Sequence, residues 1–139
     1  MNPVFLDTSG LIAVVNSDDQ WHVAAETVWR GLIRAGTPLI TSSLVLIEIG
    51  DGLARIKHRQ MASDLFNRMH RSSRVEVVQV TQGDELEGWK LFQQRSDKEW
   101  GMTDCISMII MQNRGISDVF SADNDFAQAG FHLLLAATS

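Results

Sequence analysis

The chain has 139 residues, is 45% hydrophobic with 10 glycines, and carries a formal net charge of −5, so one globular domain over residues 1–139, large enough to bury a single core, is expected. Its one cysteine, Cys105, excludes an internal disulfide and lies among apolar, helix-forming neighbours, as a packing residue does in a reducing compartment. No apolar run approaches the roughly 20 residues needed to span a bilayer, and no basic segment with a long apolar stretch opens the chain, so a cytoplasmic protein without membrane contact is expected.

The first element is the run Val4-Phe5-Leu6-Asp7-Thr8-Ser9-Gly10-Leu11-Ile12-Ala13, apolar and strand-like until it halts on an acid, hydroxylic residues and glycine. That order predicts a strand, a tight turn and a helix. Trp21, Ala24, Ala25, Val28, Trp29 and Leu32 recur at helical spacing and predict an amphipathic helix over 21–35, ended by Gly36. A short strand, Leu39-Ile40-Thr41, leads to the N-cap pair Ser42-Ser43 and a helix through Leu44, Val45, Ile47, Ile49 and Leu53. A further helix over 60–70 places Met61, Leu65, Phe66 and Met69 on one face. Val75 to Val80 is β-branched and reads as a strand. Thr81 caps a helix over 82–96 whose Leu86, Trp89 and Phe92 are expected to face inward and whose first turn is acidic, as the helix dipole favours. Gly101 precedes a helix over 103–113, and Gly115 stops it. Strands at 119–121 and 132–135 flank a short turn or helix near 124–129. This alternation predicts an α/β fold with a mainly parallel sheet.

Four acids stand at places an enzyme would use. Asp7 ends the first strand, and in an open parallel sheet the carboxyl ends of the strands border the ligand crevice; the plainer reading is that it caps the next helix. Glu48 is surrounded by Leu44, Val45, Leu46, Ile47 and Ile49, with Arg55 the nearest base. Unless it occupies an exposed edge, such a carboxylate needs a crevice, a cation or a proton. Asp51, three residues on, is a candidate supporting group. Asp104 follows Thr103, a plausible N-cap, and a capping role competes with a ligand role there. Asp123 lies beyond the strand Val119-Phe120-Ser121, where an Asx turn would also account for it, and Asp125 follows two residues later. Carboxylates that converge bind a hard cation such as Mg²⁺ or Mn²⁺. The four histidines, His22, His58, His70 and His132, show no zinc-ligand spacing.

The negative total hides a polarised distribution. Residues 55–74 carry Arg55, Lys57, Arg59, Arg68, Arg71 and Arg74 against the single acid Asp64, a net +5 in a chain of −5. Such a stripe suits a phosphate backbone, although basic helix surfaces often bind nothing.

Phe5-Leu6-Asp7-Thr8-Ser9, Leu46-Ile47-Glu48, Thr103-Asp104-Cys105 and Ser121-Ala122-Asp123-Asn124-Asp125-Phe126, followed by Ala129-Gly130-Phe131, together resemble the PIN-domain ribonucleases. The resemblance runs the length of the chain and is closest to the small VapC-like toxins of toxin–antitoxin pairs. It implies a three-layer α/β/α fold with Asp7, Glu48, Asp104 and Asp123 as the catalytic, metal-binding quartet and the hydroxyls of Thr8 and Ser121 close by. Asp125 occupies a position that such proteins fill variably and is not counted as a ligand. Mg²⁺ or Mn²⁺ held by Asp7 and Asp104, with Glu48 and Asp123 binding a second ion or ordering its waters, would activate water for in-line attack on a phosphodiester. RNA is the implied substrate, with Thr8, Arg55, Lys57 and Arg59 as its contacts, and a small antitoxin the implied partner. Met- and Trp-bearing helices on so small a fold make a homodimer the expected assembly. A haloacid-dehalogenase-like phosphatase wants a second acid two residues after the first, where this chain has Ser9; a receiver domain wants an acid on a middle strand and a late lysine, and neither is present. A PIN-like module that binds RNA or protein without cutting is the remaining alternative.

Overall fold

A computed structural model describes residues 1–135. Five short strands, β1 (Val4–Leu6), β2 (Leu39–Ser42), β3 (Val75–Val78), β4 (Asp118–Phe120) and β5 (His132–Leu133), form one sheet in the order β3-β2-β1-β4-β5. Every pairing is parallel, so the expected mainly parallel sheet is wholly so among the described residues. Among the described residues seven α-helices connect the strands: α1 (Thr8–Val15), α2 (His22–Ala35), α3 (Ser43–Gly52), α4 (Arg59–Arg71), α5 (Gln82–Gln94), α6 (Met102–Asn113) and α7 (Asn124–Gln128). None is long and apolar enough to cross a membrane.

Right-handed crossovers place α1–α4 on one face of the sheet and α5–α7 on the other. The helix packing agrees: α1 lies on α2 and α3, α3 on α4, α5 on α6, and α6 on α7. The chain leaves β1 toward β2 and β3 and later returns to β4 on its other side, which makes the β1/β4 boundary the topological switch point. The crevice of such a sheet opens there, outside the carboxyl ends of the strands. Because helices cover both faces, the central strands read as unbroken apolar runs, and Phe5, Leu6, Val119 and Phe120 are fully buried. Cys105 is buried and free, as its context predicts.

Two glycines set how closely the layers approach. A Cβ on Gly10 would lie 2.2 Å from the Phe120 carbonyl oxygen, so α1 passes directly against the end of β4. A Cβ on Gly88 would lie 2.6 Å from Ile106 Cγ1, so α5 meets α6 through a residue without a side chain. The second approach corrects an expectation. Leu86, Trp89 and Phe92 face outward, 57%, 48% and 42% exposed, because α5 turns its Gly88 and Leu91 side to the core. Phe66, expected inside α4 with Leu65 and Met69, is likewise half exposed and packs on His70 with ring centroids 4.4 Å apart.

Local signals fare better. Ser42 caps α3 by accepting from the Val45 amide, and Thr81 and Asp84 form a reciprocal capping box at α5. Gly36 and Gly115 close α2 and α6 with positive φ. Thr103 does not cap α6, whose N-cap is Gly101.

Candidate functional site

Asp7 leaves β1 at the switch point. Although it stands at the N-cap position of α1, its side chain makes no capping hydrogen bond. Instead Oδ2 accepts from the Ser121 hydroxyl at 2.7 Å and from the Ser9 hydroxyl at 3.2 Å. Ser121, the residue after β4, also accepts the Asp123 amide at 3.0 Å, while Ser9 accepts the Ala122 amide at 3.2 Å. The two hydroxyls are themselves 2.9 Å apart. A pair of serines therefore ties the first acid to the segment carrying the last, and leaves Asp7 Oδ1 without a side-chain partner among the described residues.

The other acids arrive from separate elements. Glu48 projects from α3 and accepts a hydrogen bond from the hydroxyl of Thr8 in α1, which relieves a carboxylate framed by apolar neighbours. Asp104 lies in the first turn of α6. Asp123 caps α7, its Oδ1 accepting the Asp125 amide at 2.9 Å. The turn role foreseen as an alternative for Asp123 is thus real, and it leaves one oxygen of that carboxylate over.

Together they line one pocket of about 410 Å³, walled by Asp7, Thr8, Ser9, Ile12, Asp19, Glu48, Asp104 and Asp123. Chemistry rather than size distinguishes it, since the hollow between α2 and α4 reaches about 490 Å³ with Asp64 as its one acid. Asp104, Asp123 and Asp125 can each present a carboxylate oxygen such that all three lie within 4.8 Å of one another. Among the described residues, no lysine or arginine forms an ion pair with any of these acids. Burial, reinforced by the charge of Glu48 and partly offset by the serine hydroxyls, pushes Asp7 up to about 6. Burial first, then the charges of Asp123 and Asp7, and contact with Asp125, push Asp104 up to about 8. Burial also raises Asp123. Crowded carboxylates without a cation hold protons, and a divalent ion would replace those protons with charge of the right sign. Carboxylate oxygens alone, without thiolate or imidazole, make a donor set for a hard ion such as Mg²⁺ or Mn²⁺.

Position by position, the four acids singled out in the sequence come together, and Thr8 lies beside them. Arg55, Lys57 and Arg59 do not line the pocket: Arg55 and Lys57 belong to the α3–α4 connection, and Arg59, the first residue of α4, donates to the Ala54 carbonyl beside a groove on the face of α3 opposite Glu48. Arg74 caps the end of α2 by donating to the Ile33 carbonyl. Asp51 is exposed and outside the pocket. Asp125, not counted as a ligand, stands in the tightest part of the cluster. Asp19 was missed. It walls the pocket from the α1–α2 loop while accepting the Trp21 amide at 2.8 Å, and in sequence only the capping signal shows.

The chain matches the PIN domain family over residues 4–132. It is 31% identical over 131 residues to the 23S rRNA-specific endonuclease VapC20 of Mycobacterium tuberculosis, covering 92% of this chain and 95% of that protein. The crystal structure of M. tuberculosis VapC20, described as a Sarcin-Ricin loop cleaving toxin, superposes with a TM-score of 0.83 at 29% identity, over 92% of this chain and 95% of that one. At 15% identity, VapBC2 from Rickettsia felis, bound to a DNA fragment from its promoter, shares the fold with a TM-score of 0.68 over 94% and 96% of the two chains.

Proposed function

The chain belongs to the PIN-domain family, and on that premise we propose that it is a metal-dependent endoribonuclease, the toxin of a toxin–antitoxin pair acting in the cytoplasm. One observation carries the reading: Asp7, Glu48, Asp104 and Asp123, carried by separate elements and joined by Asp19, wall one pocket at the switch point of the sheet, and among the described residues no lysine or arginine pairs with them. Such convergence disfavours capping as the whole explanation of any one of them.

In this reading Asp7 and Asp104 hold the ion, with Glu48 and Asp123 binding a second ion or its waters. Asp125 is a further donor in the same cluster. A bound divalent cation supplies a water acidic enough to attack at neutral pH and a counter-charge for the phosphodiester oxygens. The protein supplies the geometry. Ser121 and Ser9 hold Asp7 by one oxygen, and Thr8 holds Glu48. Thr8 therefore positions an acid first and contacts RNA only through what its hydroxyl has left. Among the described residues the pocket wall holds carboxylates and hydroxyls but no lysine or histidine, so in this reading water and carboxylates would carry the proton. Arg55, Lys57 and Arg59 would meet phosphates of the same RNA beyond the pocket.

By similarity to VapC20 the substrate to try first is 23S rRNA and its sarcin–ricin loop. A small antitoxin that covers the acid pocket is the matching partner. The test is incubation of purified protein with 23S rRNA in Mg²⁺, in Mn²⁺ and in EDTA, alongside Asp104→Asn shown by circular dichroism to be folded. Discrete cleavage that needs metal and is lost in the variant is expected; equal cleavage in EDTA would overturn the reading.

A further inference from the structure

Residues 95–101 join α5 to α6, and Trp100 is the buried one among them, 5% exposed. A buried indole needs a partner for its N–H. Trp100 finds it on a distant element, where Nε1 donates to the side-chain oxygen of Gln128, the last residue of α7, at 3.0 Å. One face of the ring lies under Arg95, whose guanidinium carbon is 5.0 Å from the ring centroid and whose Nε and Nη2 each donate to Asp97 at 3.0 Å. Gln128 is exposed, so holding it in one rotamer costs side-chain entropy that a free surface glutamine keeps.

The two ends of this bond flank the tightest part of the acid pocket. Trp100 reaches Asp104 through Gly101, the N-cap of α6, where an added Cβ would stand 3.8 Å from Asp104 Oδ2. Gln128 shares with Asp125 a helix of only five residues that Asp123 caps. The two helices are separate in the chain, with β4 between them, yet Asp104, Asp123 and Asp125 can bring carboxylate oxygens within 4.8 Å of one another. Like charges at that distance push their carriers apart, so the acids are not what holds α6 against α7. Burial alone would be served by phenylalanine; the N–H to Gln128 is what the indole adds. On the reading of the pocket as a metal site, we propose that Trp100 and Gln128 are positioning residues whose hydrogen bond clamps the start of α6 to α7 and sets the gap between Asp104 and the two α7 acids. Neither residue lines the pocket; each acts through the acids on its own segment. A gap held from outside matters most to a small ion. Mg²⁺ needs near-ideal octahedral geometry at about 2.0–2.1 Å, whereas Ca²⁺ accepts roughly six to eight oxygens at about 2.3–2.6 Å in flexible arrangements. Releasing the clamp should therefore cost Mg²⁺ more than Ca²⁺, a difference that mere loss of folded protein would not produce.

Calorimetric titration of the full-length protein with Mg²⁺ and with Ca²⁺ tests the clamp. Gln128→Leu changes an exposed position, and Trp100→Phe keeps an aromatic ring and drops the N–H. Each should lower Mg²⁺ affinity by about tenfold and Ca²⁺ affinity by less. The double variant should lose no more than the weaker-binding single, since both changes remove one bond. In isotope-labelled, metal-free protein the Asp104 amide resonance should shift in Gln128→Leu. Unchanged Mg²⁺ affinity in both single variants, or losses that are equal for the two ions or additive in the double, would overturn the proposal. A wild type that binds neither ion would instead remove the metal-site reading. The clamp is then judged on the Asp104 amide, and its failure to move in Gln128→Leu would overturn the clamp as well.

Discussion

Ser121 is fully buried and stands between two of the four acids, donating to Asp7 and accepting from the amide of Asp123. Ser121→Ala should leave the fold largely intact yet lower metal affinity by about 10–100-fold, as the loss of a hydrogen bond behind a ligand does; calorimetric titration with Mn²⁺ checks this, and an unchanged affinity would count against the serine pair as a positioning device. The acids themselves make stability depend on pH. Asp7 and Asp104 keep their protons in the metal-free fold up to about pH 6 and about pH 8, from an ordinary value of 3.8. Between these limits the folded state binds more protons than the unfolded one, so stability must fall as pH rises. Thermal melts of metal-free protein should show Tm declining from pH 5 to pH 8, with a shallower decline in Asp104→Asn. Added Mn²⁺ should raise Tm more at pH 8 than at pH 5, because at pH 5 it must first displace protons. A flat profile in the wild type would mean that the carboxylates are less crowded than the geometry implies.

Among the elements, helix placement is decided by what a helix lacks on its inner side. Gly10 brings α1 against the carbonyl of Phe120, which is backbone and cannot swing away. Gly10→Ala should therefore cost about 3 kcal/mol and shift Asp7 from Ser121. Gly31, exposed in the middle of α2 with nothing within 4 Å of the place an added methyl group would take, is its counterpart. Gly31→Ala should stabilise the protein by about 0.5–1 kcal/mol, since only the backbone freedom of the unfolded chain changes. Urea denaturation of the two variants should move the midpoint in opposite directions. The outward stripe on α5 follows the same logic. Helical periodicity identifies an apolar stripe, but the side of closest approach belongs to Gly88, which has no hydrophobicity with which to announce itself.

For the molecule as a whole, charge is divided between an acid pocket at the carboxyl ends of the central strands and a basic stretch that runs from the α3–α4 connection through α4. If the pocket takes up a metal ion as proposed, that ion would offset the charge of the acids before a phosphate enters, whereas the basic stretch offers attraction without it. Arg55→Glu and Lys57→Glu should weaken RNA binding and flatten its dependence on salt, by roughly one unit of slope for each phosphate contact removed. Filter binding in Mg²⁺ from low to physiological salt measures this, and an unchanged slope would free those residues from any contact with RNA. Arg59 and Arg74 are poorer choices for that experiment, because each also holds a backbone carbonyl, Arg59 that of Ala54 and Arg74 that of Ile33.

The sequence alone determined the α/β alternation, the capping residues Ser42 and Thr81, the glycine stops, and the placing of Asp7, Asp104 and Asp123 at element boundaries. These rest on interactions within a turn or two of the chain, where periodicity and capping chemistry are local. Asp7 turns from its helix to Ser121, 114 positions away, and Ser9 joins a residue 112 positions away, contacts that no local pattern in the chain announces. The same holds for Asp19 and Asp125 beside the quartet, for Arg59 outside the pocket, and for the outward face of α5. Each depends on which surfaces the parallel sheet brings together, and close approach between distant segments is set by packing of the whole, not by the residues adjoining any one of them.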